Sequence, residues 1–284
     1  MLQRSTIQLL RFHFSFFLLP VYLFALGLVP IIDIPNALLV FAILHLLVYP
    51  ASNGYNSYMD RDEGSIGGLA RPLQPTRQLL LVTFTMDMLA IGLSLIVSLV
   101  FAIGIAAYIL ASRAYSSRKI RLKKYPITGY LTVVLFQGGV TFFLTYHGCS
   151  VGKSLDAPVA GIIAATLLIG AFYPLTQIYQ HEADKKDGVT TISALLGYRG
   201  TFIFTAILYL LAMAALSWLF LERQEPYKLL IIATIMLPAL VYFFVWAGKL
   251  WADTAVADFT HTMRMNLIAS LCSNLAFLII LIRR

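Results

Sequence analysis

Nine stretches of this 284-residue chain are apolar and long enough to cross a membrane, and this feature constrains the fold most. A helix needs about 20 apolar residues to span the hydrocarbon core, where its backbone polar groups must be satisfied internally. The sequence therefore predicts an all-α polytopic membrane protein. The expected crossings are 12–32, 36–59, 78–97, 98–115, 126–147, 157–181, 201–221, 228–248 and 264–282.

The boundary between the third and fourth crossings is the hardest to place. Residues 79–111 form one apolar run with no polar loop inside it, and the run is too long for a single crossing. We place the turn near Ser98, which predicts a very tight connection. The N-terminal apolar run is long and has no small-residue cleavage site, which indicates a first crossing and not a removed signal peptide.

Charge is distributed in a way that favours one orientation. Hydrophobic residues make up 60% of the chain and charged residues 12%, which is outside the range of ordinary soluble domains. The net charge of +8 does not indicate nucleic-acid binding, because the basic residues occupy short gaps between apolar runs.

With the N-terminus inside, 16 of the 21 basic residues are cytoplasmic. This bias predicts a cytoplasmic N-terminus and, after nine crossings, a C-terminus outside.

One polar motif occurs twice. Residues 49–64 read YPASNGYNSYMDRDEG and residues 173–188 read YPLTQIYQHEADKKDG, so that Tyr49 aligns with Tyr173 and Asp60 with Asp184. In a regular helix, positions separated by 3, 7 and 10 residues lie on one narrow stripe. The two predicted stripes are Asn53, Asn56, Asp60 and Glu63, and Gln177, Gln180, Asp184 and Asp187.

The two stripes fall at the cytoplasmic ends of the second and sixth predicted helices. An even number of crossings separates them, which predicts a parallel repeat. Two four-helix halves plus a ninth helix is the simplest arrangement that brings the stripes face to face. Residues 1–284 are accordingly predicted to form a single transmembrane domain.

Each stripe carries amide oxygens followed by carboxylate oxygens, which are the hard ligands that Mg²⁺ or Ca²⁺ takes. Carboxylates concentrated at one membrane face repel one another unless cations are bound between them. Cations held by two facing stripes would clamp a polyanion such as the diphosphate of a lipid. Candidate phosphate ligands in the neighbouring loops are Arg71, Arg118, Arg121, Lys123 and Lys185.

The basic residues in the loop between the fourth and fifth predicted crossings have a simpler explanation, since the positive-inside rule alone predicts such loops. The amides of the stripes are harder to explain in that way. They lie on the membrane side of the carboxylates, where polar groups are costly and commonly mark function. Asp87, inside the third crossing, is open to both interpretations: a functional carboxylate, or one that bonds to a neighbouring helix.

The motifs resemble those of the UbiA superfamily of intramembrane prenyltransferases, which carry NDxxDxxxD after the second helix and DxxxD after the sixth. The positions that match these motifs are Asn56, Ser57, Asp60 and Gly64 in the first copy, and Gln180 and Asp184 in the second. Three of them, Ser57, Gly64 and Gln180, stand where the pattern has aspartate. Nearby carboxylates that are candidates to replace the missing ones are Asp62, Glu63, Glu182 and Asp187.

The resemblance implies a Mg²⁺-dependent transfer of a prenyl group from a polyprenyl diphosphate to a lipophilic acceptor in the membrane. Asp60 and Asp184 are then the catalytic carboxylates, and the eight stripe residues are the metal-binding set. Tyr49 and Tyr173 are candidates to stabilise an allylic carbocation through their ring faces. The sequence gives no sign of an obligate protein partner, and it does not identify the acceptor or the chain length.

Two other classes of function remain open at the level of sequence. A non-catalytic or weakened relative would keep the fold and lose turnover, because fold does not dictate function. A secondary transporter also uses repeats and broken helices, although it needs a path to the opposite face. The polar residues of this chain cluster at one face only.

Overall fold

The computed structural model describes residues 1–283 and is built from thirteen α-helices, with short 3-10 and π-helical turns. The helices are α1 (Arg4–Leu10), α2 (Leu19–Leu28), α3 (Ile34–Phe41), α4 (Tyr49–Asp60), α5 (Arg77–Val97), α6 (Leu99–Ser116), α7 (Pro126–Val134), α8 (Thr141–Cys149), α9 (Val159–Gln177), α10 (His181–Lys186), α11 (Ile192–Glu222), α12 (Tyr227–Ala252) and α13 (Phe259–Ile282). In these residues β-structure is limited to two isolated bridges. The all-α prediction is confirmed.

Eight helical segments in the described residues are long and apolar enough to cross a membrane. A ninth crossing results if the bent pair Arg4–Phe17 and Leu19–Leu28 forms one span. Large apolar side chains such as Leu110, Leu210 and Phe244 are exposed on the outside of the bundle, as expected of surfaces that face lipid. The chain is an integral membrane protein, and its orientation stays a prediction from the basic residues.

The first crossing differs from the predicted span 12–32. Its helix begins at Arg4, bends by 43° after Phe17 and ends at Leu28. The early start has a packing reason, because Leu9 and Leu10 of α1 are buried in a small apolar cluster with side chains from beyond α4. This cluster attaches the N-terminal helix to the loop that follows the first polar motif.

The tight turn expected near Ser98 is confirmed. Helix α5 ends at Val97 and α6 begins at Leu99, so one residue separates them. The Ser98 side chain caps α6 by accepting a hydrogen bond from the backbone N–H of Phe101 at 3.0 Å. His147 lies 2.7 Å from the same hydroxyl and connects this turn to α8.

Both copies of the polar motif lie beside a helix irregularity. A π-helical stretch, Ala42–Val48, precedes α4, and a 3-10 turn, Ile178–Gln180, separates α9 from α10. Each irregularity lies close to the motif's proline, which weakens the helical hydrogen-bond ladder. The second stripe is therefore not one continuous helical face, as the regular-helix prediction assumed.

Helix packing brings the ends of α4 and α9 to the same end of the bundle. Helix α13 packs against α12 and also against α2, while α9 packs against α11 and the segment between α7 and α8. The approach to α9 is close at Gly138, where an added Cβ would lie 2.7 Å from Cα of Thr166. Only glycine fits at this position. Gln137, which directly precedes Gly138, lines both cavities described below.

Candidate functional site

A polar cavity of about 210 Å³ lies where α4 and α9 end. Residues of both motif copies line it: Asn53, Asn56, Asp60, Gln177, Gln180, Asp184 and Asp187. The structure thus brings seven of the eight stripe residues to one cavity. Their predicted roles as metal ligands stay predictions.

Lys123 extends into this cavity from the α6–α7 connection. Its Nζ lies 2.5 Å from Asp60 Oδ1, and the two side chains are only 10% and 5% exposed. The geometry is that of an ion pair and not of a linear hydrogen bond. A buried ammonium and carboxylate stabilise each other strongly, because removal of either leaves an uncompensated charge.

Two arginines of the same connection hold the second motif. Arg121 forms an ion pair with Asp187 and also donates to the Asp187 carbonyl at 3.2 Å. Arg118 lies 3.4 Å from the same carboxylate and donates to the carbonyls of Met59 and Asp60 at 2.7 and 3.2 Å. Arg118 thus caps the C-terminus of α4, where a cation is favoured by the unpaired carbonyls. Neither arginine lines the cavity.

Several oxygens that face the cavity have no hydrogen-bond partner. Gln177 is 7% exposed, and its Oε1 atom is buried without a partner. Asp184 Oδ2 is buried in the same way. A buried acceptor without a partner costs about 1–3 kcal/mol, so such atoms require a donor or a cation, which water, a ligand or a metal ion can supply. They are the atoms that a bound cation would contact.

The position of Glu63 corrects the sequence prediction. Helix α4 ends at Asp60, and Arg61 adopts a left-handed conformation with φ 53°, so the stripe does not continue to Glu63. Glu63 is exposed and does not line the cavity, whereas Asp62 does. Burial raises the pKa of the Asp62 carboxyl, and the nearby charge of Asp60 raises that pKa further.

Three other predicted site residues lie outside the cavity. Arg71 and Lys185 are exposed and do not line it. Tyr49 is 2% exposed and contacts the rings of His45 and Tyr108 instead. The structure therefore gives Tyr49 a packing contact, while Arg71 and Lys185 have no contact with the cavity.

Tyr173, by contrast, lines the cavity as expected, and its hydroxyl contacts the hydroxyl of Tyr115. Tyr173 also lines a second, apolar cavity of about 160 Å³ between α2, α9 and α13. The two cavities share five lining residues: Phe14, Gln137, Tyr173, Thr176 and Asn266. The two cavities are therefore adjacent, and Tyr173 lies in the wall that they share.

Arg11 is a cavity residue that the sequence did not single out. It is 6% exposed and lines the polar cavity from the end of α1. Its guanidinium donates to the carbonyls of Gly67 and Asn53 at 3.0 and 3.3 Å, and its Nε has no partner. An arginine inside an apolar N-terminal segment was the available signal, because charges at membrane depth are costly.

The donor atoms around the cavity fit a hard cation. In residues 1–283 no three His, Cys, Asp or Glu side chains are close enough to form a metal site by themselves. Asp62, Asp184 and Gln177 nevertheless supply oxygens, which is the ligand type that Mg²⁺ takes. Mg²⁺ commonly binds through one or two carboxylates, with phosphate and water oxygens completing its shell. These residues would hold the ion together with an anionic ligand.

Asp87 is buried away from the cavity, where it pairs with Arg113. The guanidinium of Arg113 lies 4.0 Å above the ring of Tyr55 on α4. Neither charged residue lines either cavity. Of the two interpretations of Asp87, the structure supports the bond to a neighbouring helix, which here connects α5 and α6 to α4.

Replacement of Asp87 by Asn is expected to reduce stability and not the intrinsic activity of the folded fraction. The change leaves Arg113 buried without a counter-charge, which costs about 3–5 kcal/mol. Thermal unfolding of the detergent-solubilised protein measures the loss. The double variant Asp87→Leu with Arg113→Met removes both charges and should recover most of it. An Asp87→Asn protein with normal stability and no activity would contradict this.

Comparison with known proteins agrees with this architecture. The model of the UbiA prenyltransferase family matches residues 14–268. The fold is similar to a UbiA homologue from Archaeoglobus fulgidus bound to GPP and Mg²⁺, with a TM-score of 0.69, 19% identity and coverage of 97% of this chain and 99% of that one. It is also similar to a UbiA homologue from Aeropyrum pernix K1, with a TM-score of 0.71, 16% identity and coverage of 95% and 98%.

A curated relative matches over a shorter region. Chloroplastic homogentisate solanesyltransferase from Arabidopsis thaliana is 27% identical over 139 residues, which are 46% of this chain and 36% of that protein. The chain thus aligns with about a third of that relative. The family match extends much further, from the first crossing into the last helix. The chain belongs to the UbiA prenyltransferase family.

Proposed function

We propose that this chain transfers a prenyl group from a polyprenyl diphosphate to a lipophilic acceptor, in a Mg²⁺-dependent reaction. One observation carries the proposal: a polar cavity lined by both motif copies lies next to an apolar cavity between helices and shares five lining residues with it. The first suits a diphosphate and the second suits a hydrocarbon chain. The predicted orientation puts the diphosphate at the cytoplasmic side.

The reaction begins with heterolysis of the bond between the allylic carbon and the diphosphate oxygen. The electron pair leaves with the diphosphate, and a nucleophilic atom of the acceptor then bonds to the carbon and loses a proton. Lys123 and Arg11 line the cavity as fixed cations that would donate to the departing oxygens. Bound Mg²⁺ would supply further neutralisation of that charge.

Tyr173 is placed to act on the carbon side of the same bond. It stands at the junction of the two cavities, and its contact with the Tyr115 hydroxyl orients the ring. An aromatic face near a carbocation stabilises it by about 0.5–2 kcal/mol. Tyr108, which also lines the polar cavity, adds a second ring. The acceptor atom would have to approach this junction.

The test is an assay of the purified chain in detergent or vesicles with polyprenyl diphosphates of different lengths. Lipid extract from cells that lack the gene supplies the acceptor, and mass spectrometry identifies the prenylated product. We expect release of diphosphate that depends on extract, stops on chelation of Mg²⁺ and resumes when Mg²⁺ is restored. Binding of the diphosphate without release, with every acceptor tried, would support a non-catalytic relative instead.

A further inference from the structure

The carboxylates around the polar cavity are not all available to a metal. Asp60 is held by Lys123 at 2.5 Å. Asp187 is held by Arg121 and lies 3.4 Å from Arg118. These two carboxylates already have cationic partners, and each partner would have to move before a metal ion took its place.

The amides of the motifs are engaged to different degrees. Asn56 accepts a hydrogen bond from Ser116 through its Oδ1 at 2.8 Å, and Gln180 donates to the carbonyl of Ser65 at 3.4 Å. Gln177 keeps its Oε1 free, and the side chain is more than nine-tenths buried and lines the cavity. An oxygen acceptor enclosed in this way requires a donor or a cation.

Of the four carboxylates that line the cavity, two have no ion pair in the described residues, Asp62 and Asp184. Both line the cavity, and Asp184 is within electrostatic range of Asp62 and Lys123. At the positions where the motif pattern has three further aspartates the chain has Ser57, Gly64 and Gln180, and none of these adds a charge. One or two carboxylates per ion is the usual supply for Mg²⁺ at a phosphate site.

We propose, on the basis of the function proposed above, that the cavity binds one divalent cation per diphosphate, and that Lys123 and Arg11 provide the positive charge that a second cation would bring. Asp62, Asp184 and Gln177 supply the protein oxygens for that cation, and the diphosphate supplies others. Protein contacts hold both cations in the cavity: Lys123 pairs with Asp60, and Arg11 donates to the carbonyls of Gly67 and Asn53. The cation binds weakly to the protein alone, since the protein oxygens do not complete its shell.

The test counts Mn²⁺, which takes the same oxygen ligands and is visible by electron paramagnetic resonance. Purified chain is titrated with Mn²⁺, with and without a prenyl thiolodiphosphate whose carbon–sulfur bond resists ionisation. We expect weak binding of the metal alone and one Mn²⁺ per chain with the analogue. Two Mn²⁺ per bound analogue would overturn this inference and leave the proposed function standing. No binding of the analogue with any metal would overturn both.

A substitution at Gln180 tests the assignment within the same experiment. Gln180→Asp adds a carboxylate on the second motif and is expected to raise the count to two or to tighten Mn²⁺ binding about tenfold. Gln224→Asp makes the same change at the far end of α11 and should leave count and affinity at the wild-type values. Equal effects of the two variants would mean that added negative charge alone attracts the ion, which contradicts the assignment.

Discussion

Replacement of Asp184 by asparagine is expected to lower the rate of diphosphate release by about 10³-fold or more, or roughly 4 kcal/mol in the barrier. Asparagine keeps the shape of the side chain and removes its charge. Asp184 Oδ2 is buried in the polar cavity without a partner, so no other group in residues 1–283 donates to that oxygen. Without the negative charge the cavity would hold a divalent cation less tightly, and less of the charge that builds on the departing diphosphate would be neutralised. Single-turnover release of diphosphate from a labelled substrate measures the loss.

Glu182→Gln is the matched control for this experiment. It removes a carboxylate from the same short helix, two residues from Asp184, but Glu182 is exposed and does not line the cavity. We expect wild-type release, normal insertion into membranes and an unchanged unfolding temperature. If both variants lose activity equally, the negative charge of α10 acts as a whole, and the role given to Asp184 is wrong.

The membrane class and the crossings could be predicted because hydropathy is a local property of the chain. Each crossing is recognisable from a segment of about 20 apolar residues, whichever helices it packs against. The turn at Ser98 was predictable for a similar reason, since the largely apolar segment 79–111, 33 residues long, exceeds the bilayer thickness as one helix. The convergence of the two motifs followed from their repetition and the parity of the crossings between them.

The details of the cavity depended on helix ends, which local sequence specifies poorly. Arg61 takes a left-handed conformation that sequence usually signals with glycine. For that reason the regular stripe predicted Glu63 at a place that Asp62 occupies. By charge pattern alone, Arg11 is one of the basic residues expected on the cytoplasmic side, with nothing to set it apart. Its place in the cavity follows from its position at the end of α1, and α1 is held by packing against Ile66 and Leu79, which are distant in sequence.

For the basic residues too, the sequence predicts the charge of a segment but not which side chain enters the cavity. The positive-inside rule explains why the α6–α7 connection is basic, but it treats all of its cations alike. In the structure Lys123 points into the cavity, Arg118 and Arg121 hold Asp187 at its edge, and Lys124 is exposed. Tertiary packing therefore selects one cation of the loop for the cavity, and the sequence alone could not rank them.

Lys123→Met is expected to weaken binding of the prenyl diphosphate and also to slow the reaction that releases diphosphate from it. The combined effect is expected to be about 10²-fold, or roughly 3 kcal/mol. Methionine keeps much of the length and apolar surface and removes the ammonium. Two effects act in the same direction. The diphosphate loses a cationic donor, and Asp60, whose side chain is 5% exposed, is left with an uncompensated charge that repels the substrate. Equilibrium binding of the thiolodiphosphate and steady-state kinetics measure the two effects separately.

Lys124→Met changes the neighbouring, exposed lysine in the same way and should alter neither quantity. Lys123→Arg tests whether charge alone is sufficient. Arginine keeps the positive charge but replaces a compact ammonium by a planar fork, and we expect it to restore binding more fully than rate. If Lys123→Met binds the analogue as the wild type does and loses only rate, Lys123 acts on the transition state alone. In that event the ion pair with Asp60 does not contribute to substrate binding, and the proposal that Lys123 takes the place of a second cation fails.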